Sequence, residues 1–338
     1  MSTINDVAKQ AGVSITTVSY VITGKRYVSD NLKERVLQAM KEVGYRPNSL
    51  AKSLKSGKTQ TVGLIIPDSS NFFFAEMSRH FEDIGFQNGY IVMLCNSDDN
   101  LEKQSVYLDV LLSKQVDGIV FISVGNDRST FDQLAEFNIP FVVVDRDEDE
   151  PNADVVLVDN FYGGYQAANY LTSLGHRRIG CIAGPSTLRA SEDRVKGYFK
   201  ALQDNRLELQ HELIARGDFR FRSGETAMEK LLNLPDPPTA VFVCNDMMAI
   251  GAIRAVHKHN LRVPEDISII GFDNNPIAEV ITPALTTIAQ PTSEIAETSM
   301  NILLKRIKGD ADPSPARAVL TPKLIVRDSC QSLTKRSN

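Results

Sequence analysis

The chain has 338 residues, 42% of them hydrophobic, enough for two or three globular units with real cores. It shows no N-terminal apolar signal segment and no apolar run near the ~18 residues a membrane span needs, so a cytoplasmic protein without membrane contact is expected. The net charge of −5 is uneven: residues 1–60 carry ten Lys and Arg against four Asp and Glu, which is 10 − 4 = +6, leaving −5 − 6 = −11 for the rest. A small basic head on an acidic body points to a polyanion as the partner of the head.

In chain order, Ile4, Val7, Ala8 and Ala11 share one helical face. Thr3 and Asp6 form a capping box at its start, and Gly12 is suited to the left-handed turn that ends it. The next stretch, SITTVSYVIT (residues 14–23), has seven β-branched residues in ten and reads as a strand by propensity. Its apolar spacing does not. Ile15, Val18, Val21 and Ile22 recur at helical intervals, while Thr17 and Ser19 fall where a strand would want apolar residues. β-Branched residues cost only tenths of a kcal/mol each in a helix, which core burial exceeds. The spacing therefore predicts a helix with Ser14 as N-cap. A third helix is expected from about Asp30 to Val43, capped by Ser29 and stopped by Gly44, with Val36, Leu37, Met40 and Val43 on its inner face. Two short helices across a glycine turn, backed by a third, make a helix-turn-helix. Thr16, Thr17, Ser19 and Tyr20 are then offered to a DNA major groove. An ordinary three-helix cap is the alternative that spacing alone leaves open.

Residues 46–59, RPNSLAKSLKSGKT, permit a helix of about nine residues capped by Asn48, too short to stand alone in water, and by themselves read more readily as a flexible linker with a chance apolar pair. The SGKT within it lacks the glycine at position 52 that a phosphate loop requires, since Lys52 stands there. From Thr61 onward, short apolar runs alternate with helical patterns. VGLIIPD, YIVMLCNSD, DGIVFIS and PFVVVDR form one series, and RIGCIAG, LIARGDF, TAVFVCND and ISIIGFDN a second. This predicts an α/β body of two similar lobes, each a parallel sheet covered by helices. Ligands bind such sheets at the carboxyl ends of the strands. There the sequence places Asp68 to Asn71, Asn96 to Asp98, Asp145-Arg146, Asn245-Asp246 and Asp273-Asn274. Each alone reads equally well as a turn or cap residue; the set converging on one cleft favours a binding site. Carboxylate, amide and guanidinium groups with aromatic rings above and below suit a sugar, whose hydroxyls ring an apolar face.

Four cysteines, Cys95, Cys181, Cys244 and Cys330, lie far apart, with no C-x-x-C pair and no Cys/His cluster, so reduced structural thiols and no metal or cofactor are expected. His80, His176, His211, His257 and His259 accompany no nucleophile, and none of the common catalytic motifs appears in context. An enzyme is therefore not expected, and the histidines read as surface or cap residues.

TINDVAKQAGVSITTVSYVI, then GYRPNSLAKSLKSGKTQTVGLIIPD, and on to LTPKLIVRDS, resembles the lactose-repressor family of regulators over the whole chain. The resemblance implies residues 1–58 as DNA-binding head, with a hinge helix at about 48–56. It also implies a periplasmic-binding-protein-like effector and dimerisation body over 59–330, and a tail at 331–338. Lobe one would take about 60–160 and 292–320, and lobe two about 161–291 and 321–330. Hinge helices of a homodimer would pair on a pseudo-palindromic operator, with Leu54 wedged into the minor groove beside Lys55 and Arg26 also at the DNA. No leucine-heptad tail is present, so a dimer is expected. The body further resembles ribose-binding proteins and ribose repressors. That likeness assigns Asn71, Asp145, Arg146, Arg194, Asn245, Asp273 and Gln290 to the ligand's polar plane and Phe73, Phe74 and Phe219 to stacking. Phe72 replaces a proline usual there. Purine repressors are similar too, but place an arginine and a threonine where this chain has Leu188 and Ala190. The expected effector is ribose or a similar monosaccharide, with a nucleoside, purine or phosphorylated ligand as alternative. A sugar transport protein is the alternative of another class, opposed by the basic head. Many relatives carry arginine at the Tyr20 position, and ribose and purine repressors histidine; tyrosine should read DNA differently.

Overall fold

The computed structural model describes residues 2–24, 26–45, 57–122, 133–134, 136–145 and 153–333. It divides into two compact units, Met1–Thr59 and Gln60–Asn338.

The first unit contains α1 (Ile4–Ala11), α2 (Ile15–Thr23) and α3 (Asp30–Glu42). The Thr3–Asp6 capping box forms, and Gly12 ends α1 at φ +62°. Arg35 donates to the Ala11 carbonyl at 2.7 Å, which ties α3 to that turn. SITTVSYVIT is helical from Ile15, with the Ser14 hydroxyl accepting from the Thr17 amide at 3.0 Å. Tertiary burial overrides β propensity here: Val18 is fully buried among Val7, Ala8, Ala11, Val36 and Ala39, with Val21 and Ile22 packed against them. Ile15 is 50% exposed and does not join this core. Two expectations for α3 need correction. Leu37 is exposed, not inward, and Ser29 holds the N-cap position without a side-chain cap bond.

The second unit holds two six-stranded sheets. The first runs in the order β11-β5-β4-β3-β1-β2, from β1 (Thr61–Ile66), β2 (Ile91–Asn96), β3 (Gly118–Phe121), β4 (Phe141–Val144), β5 (Asp154–Val158) and β11 (Arg317–Leu320), all pairs parallel. The second runs β12-β10-β9-β8-β6-β7, from β6 (Ile179–Ala183), β7 (Ile214–Arg216), β8 (Ala240–Val243), β9 (Ser268–Asp273), β10 (Thr286–Ala289) and β12 (Lys323–Ile325). Among the described strands only β12 is antiparallel, to β10. β3, β5, β6, β8 and β9 are buried along their whole length, as parallel strands covered on both faces must be.

The helices that follow the strands are α4 (Phe72–Gln87), α5 (Leu101–Ser113), α6 (Asn160–Ser173), α7 (Arg189–Asp204), α8 (Phe221–Leu232), α9 (Asp246–Lys258), α10 (Ile277–Val280) and α11 (Thr292–Lys308). Helix α11 returns to the first sheet, burying Ile295, Ala296, Met300, Leu303 and Leu304 in the same core as β1, β3 and β4. A bidentate pair fixes it there, Arg306 Nε and Nη2 each 2.8 Å from Asp154 carboxylate oxygens.

One histidine departs from expectation. His176 is buried, its Nδ1 3.0 Å from the Thr239 hydroxyl and its Nε2 3.1 Å from the Ser268 hydroxyl and the Gln331 carbonyl. It is an interior junction between α6, the second sheet and the C-terminal segment, because three polar partners offset the cost of burying the ring. The cysteines are all free, with Cys95, Cys181 and Cys244 buried.

Candidate functional site

In the head, the face of α2 left after core burial carries Thr16, Thr17, Ser19 and Tyr20. Thr16 is exposed, while Thr17, Ser19 and Tyr20 are half-buried. Thr17 is held locally, its hydroxyl 2.9 Å from that of Ser14. Gly24 closes the helix at φ +65°, its amide donating to the Tyr20 carbonyl at 2.8 Å, and the chain turns back. Arg26 then lies over the Tyr20 ring, 5.5 Å from guanidinium carbon to ring centroid. Tyr27 beside it is 89% exposed. Leu54, Lys55 and the expected hinge helix lie outside the described residues.

In the body, the carboxyl ends of the strands of both sheets open on one cleft of about 850 Å3. That volume suits a small ligand. Asn71, Phe73, Phe74, Asp145, Arg194, Phe219, Asn245, Asp273 and Gln290 all line it; Arg146, expected with them, lies outside the described residues. Some of these residues are also caps. Asn71 caps α4, its side-chain oxygen accepting from the Phe73 amide at 3.1 Å. Asn245 caps α9 through the Met248 amide at 2.9 Å, and its Nδ2 donates to the Phe219 carbonyl at 2.9 Å. The turn-and-cap reading and the binding reading thus describe the same side chains: capping fixes their orientation toward the cleft.

The backbone around the cleft is unusual. Asp98, Asp99, Asp145, Phe219 and Asp273 all line it and all have positive φ, from 53° to 114°. Conformations disfavoured for side chains with a Cβ concentrate where function constrains the chain. Phe219 reaches its place because residue 184 is glycine, where a Cβ would run into the ring.

Arg194 is the pivot of the floor. It is buried, with Nε donating to Asn160 Oδ1 at 2.8 Å and Nη1 to the Cys244 carbonyl at 2.6 Å. Its guanidinium lies 3.7 Å from the Phe272 ring centroid and 5.8 Å from that of Phe219, and Nη1 is 3.8 Å from Asp273 Oδ1. Asp273 also accepts from Gln290 Nε2 at 2.8 Å. Burial pushes the Asp273 carboxyl up to about 7; Arg194 and Gln290 oppose this, and Asp145 across the cleft adds to it. The Gln290 Oε1 is buried and accepts no hydrogen bond from a described residue.

Sequence reasoning did not select Phe272 for the site, and it placed Asp246 at a strand end with Asn245 without giving it a role there. Asp246 lies fully buried below the cleft, where Thr287 Oγ1 donates to it at 2.6 Å and the Asn275 amide at 2.7 Å. Burial, and then Asp273, raise its carboxyl well above the usual range. The only sequence signal was its place after Asn245. Asp68, Asp98, Asp99, Asp218 and Arg220 also line the cleft. Among the described residues no group of side chains is arranged to hold a metal ion, and no helix is long and apolar enough to cross a membrane.

A helix-turn-helix head and a two-lobed body with a polar cleft at its strand ends define a DNA-binding regulator responsive to a small molecule. Residues 3–48 match the model of bacterial regulatory proteins of the lacI family, and residues 168–330 that of the periplasmic binding protein-like domain. The HTH-type transcriptional repressor PurR of Edwardsiella ictaluri is 42% identical over 331 residues, 97% of each chain. Among solved structures, the lac repressor dimer bound to operator and the anti-inducer ONPF is 28% identical with a TM-score of 0.87, covering 98% of this chain and 99% of that one. A LacI family regulator from Enterococcus faecium with bound ribose is 32% identical with a TM-score of 0.73, covering 81% and 99%. The chain belongs to the lacI family and is a DNA-binding transcriptional repressor, not an enzyme.

Proposed function

We propose that the protein is a cytoplasmic homodimeric repressor whose affinity for a pseudo-palindromic operator is set by a neutral monosaccharide, ribose or a close relative, held in the cleft. The cleft's acceptor excess carries this reading: Asp68, Asp98, Asp99, Asp145 and Asp218 line it against Arg194 and Arg220, even without the buried Asp273. Ionised carboxylates accept hydrogen bonds and cannot donate, so the ligand must bring donors in several directions, as sugar hydroxyls do. Phe73, Phe74 and Phe219 supply apolar surface for the ring faces. The same excess opposes a phosphorylated effector, whose charge would meet like charge in a partly dry site. The Enterococcus faecium regulator with ribose supports the sugar class.

The PurR relatives favour a second reading, a purine in the same cleft. Against it, Leu188 and Ala190 line the cleft and offer a base neither the guanidinium nor the hydroxyl expected of purine repressors. Calorimetry of the full chain with ribose, other monosaccharides, hypoxanthine, guanine and ribose 5-phosphate separates the readings. Saturable binding of a pentose is expected, and tight binding of a purine alone would replace the first reading with the second.

The head reads DNA through the exposed side of α2, with Arg26 beside it and Leu54 and Lys55 in the hinge. The partner copy packs on the edge of the first sheet, where Phe86, Ile91, Leu94, Val106 and Val110 are exposed around β2. Light scattering on the full chain should give twice the chain mass, and a monomer would refute the dimer. Gel shifts on DNA upstream of the protein's own gene should show a retarded complex that weakens steeply with salt and changes with the effector.

A further inference from the structure

The head contains one contact that the recognition-helix reading does not use. Helix α2 ends at Thr23, and Gly24 at φ +65° sends the chain back along the last turn. No atom lies within 4 Å of where a Gly24 Cβ would stand, so glycine serves the backbone turn rather than close packing. The turn delivers Arg26 onto the face of the Tyr20 ring at 5.5 Å. Tyr20 is half-buried and held by the helix, whereas Arg26 is exposed and lies in a loop. The two members are therefore unequal: one is fixed by the fold and the other is poised above it.

A guanidinium over an aromatic face is attracted by the ring's quadrupole, and its planar fork keeps its donors available at the edge. The carboxyl end of α2 adds negative character on the same side. A long side chain loses rotamer freedom when it binds, and a platform that holds it beforehand lowers that cost. Tyrosine's own hydroxyl is a poorer discriminator than arginine's fork, which pairs with both acceptors of guanine.

We propose that Tyr20 is a positioning residue for operator recognition: its ring holds Arg26 in the direction of one base edge, so base choice at that half-site position is exercised by Arg26 and depends on the ring beneath it. This rests on the reading that the exposed side of α2 enters the major groove.

The test is selection of binding sites from a randomised duplex library by the full chain, with Tyr20→Phe, Tyr20→Leu, Arg26→Ala and the double variant Tyr20→Leu/Arg26→Ala. The wild type should select a palindromic site with a guanine at one position of each half. Arg26→Ala should reduce that preference by about 5- to 100-fold. Tyr20→Leu keeps apolar bulk but loses the ring, and should reduce preference at the same position by about 2- to 5-fold. Tyr20→Phe should keep it within about 2-fold, and the double variant should be no worse than Arg26→Ala alone. Salt dependence should be the same for the wild type and both Tyr20 variants, since no phosphate contact is removed.

Relaxed preference at a different position in Tyr20→Leu would show that Tyr20 reads its own base and would overturn the proposal. So would a Tyr20→Phe variant as impaired as Tyr20→Leu, because the hydroxyl would then be the reader. If Tyr20→Leu fails to fold by circular dichroism, Gly24→Ala decides, because it disturbs the turn without touching the ring. It should relax the Arg26 position alone, and an unchanged preference there would overturn the proposal. Failure of the wild type to select any site would instead refute the major-groove reading.

Discussion

Replacing Asp273 by asparagine removes a charge whose cost follows from its burial. In the fold the carboxyl is buried and pushed up to about 7; in the unfolded chain it titrates at its usual value near 3.8. Between those values the native state binds more protons than the unfolded state. The contribution of Asp273 to stability is therefore full at low pH and is lost as pH rises from about 4 to about 7. At about 1.4 kcal/mol per pH unit, the two units between pH 5 and 7 amount to about 3 kcal/mol. The asparagine side chain cannot ionise, keeps an acceptor for Gln290 Nε2, and should lose this dependence. Urea unfolding of both proteins at pH 5, 6, 7 and 8 measures it. Wild type relative to Asp273→Asn should lose about 2–3 kcal/mol across the series, and then level off. A difference that stays constant with pH, or that grows in favour of the wild type, would refute the assignment of a buried, destabilised carboxylate.

Gly184→Ala puts a methyl group against the Phe219 ring and should weaken effector binding about 2- to 10-fold, the range of one aromatic contact, in calorimetry. Ser14→Ala removes the oxygen that accepts from the Thr17 amide and should destabilise the head by about 1 kcal/mol, seen as faster hydrogen exchange of the α2 amides. Asp246→Asn can accept from the Asn275 amide and donate to Thr287 Oγ1, so it should stay within about 1 kcal/mol of wild type in urea unfolding at pH 7. Asp246→Ala leaves both donors unmet and should cost about 3 kcal/mol in the same measurement.

What could be read from the sequence was whatever a short window holds. The Thr3–Asp6 box, the Gly12 turn and the spacing of Val18, Val21 and Ile22 are all local, and they outweighed the β propensity of SITTVSYVIT. Runs such as AVFV and FVVV announced buried parallel strands, and the Asn and Asp residues after them marked the side on which the cleft opens. What was not legible depends on distant partners. His176 looks like a cap after Gly175, and its burial makes sense only with Ser268 and Gln331 in place. Asp246 looks like one more helix-start acid until Thr287 and Asn275 close on it. The division that puts β11 in the first sheet and β12 in the second came from the family resemblance, since no local pattern between Arg317 and Ile325 marks it. The stacking of Arg26 on Tyr20 needs the path of the chain after Gly24, which no periodicity encodes.

The cleft also explains how a ligand could drive a change of state rather than merely occupy a cavity. Asp145 follows β4 of the first sheet and Asp273 ends β9 of the second, and Asp145 makes the charged form of Asp273 less favourable. Bringing the lobes together raises the cost of keeping both ionised. A hydroxyl donating to each carboxylate reverses that sign, because hydrogen bonding favours the charged form. The Gln290 oxygen can accept a further donor. A ligand can shift an equilibrium only by its differential affinity for the two states, and here that difference lies in donors that reach both lobes at once. An effector lacking a hydroxyl on one face would bind one lobe and leave the Asp145–Asp273 repulsion in place. It should occupy the cleft without closing it, and so compete with the natural effector without changing operator affinity.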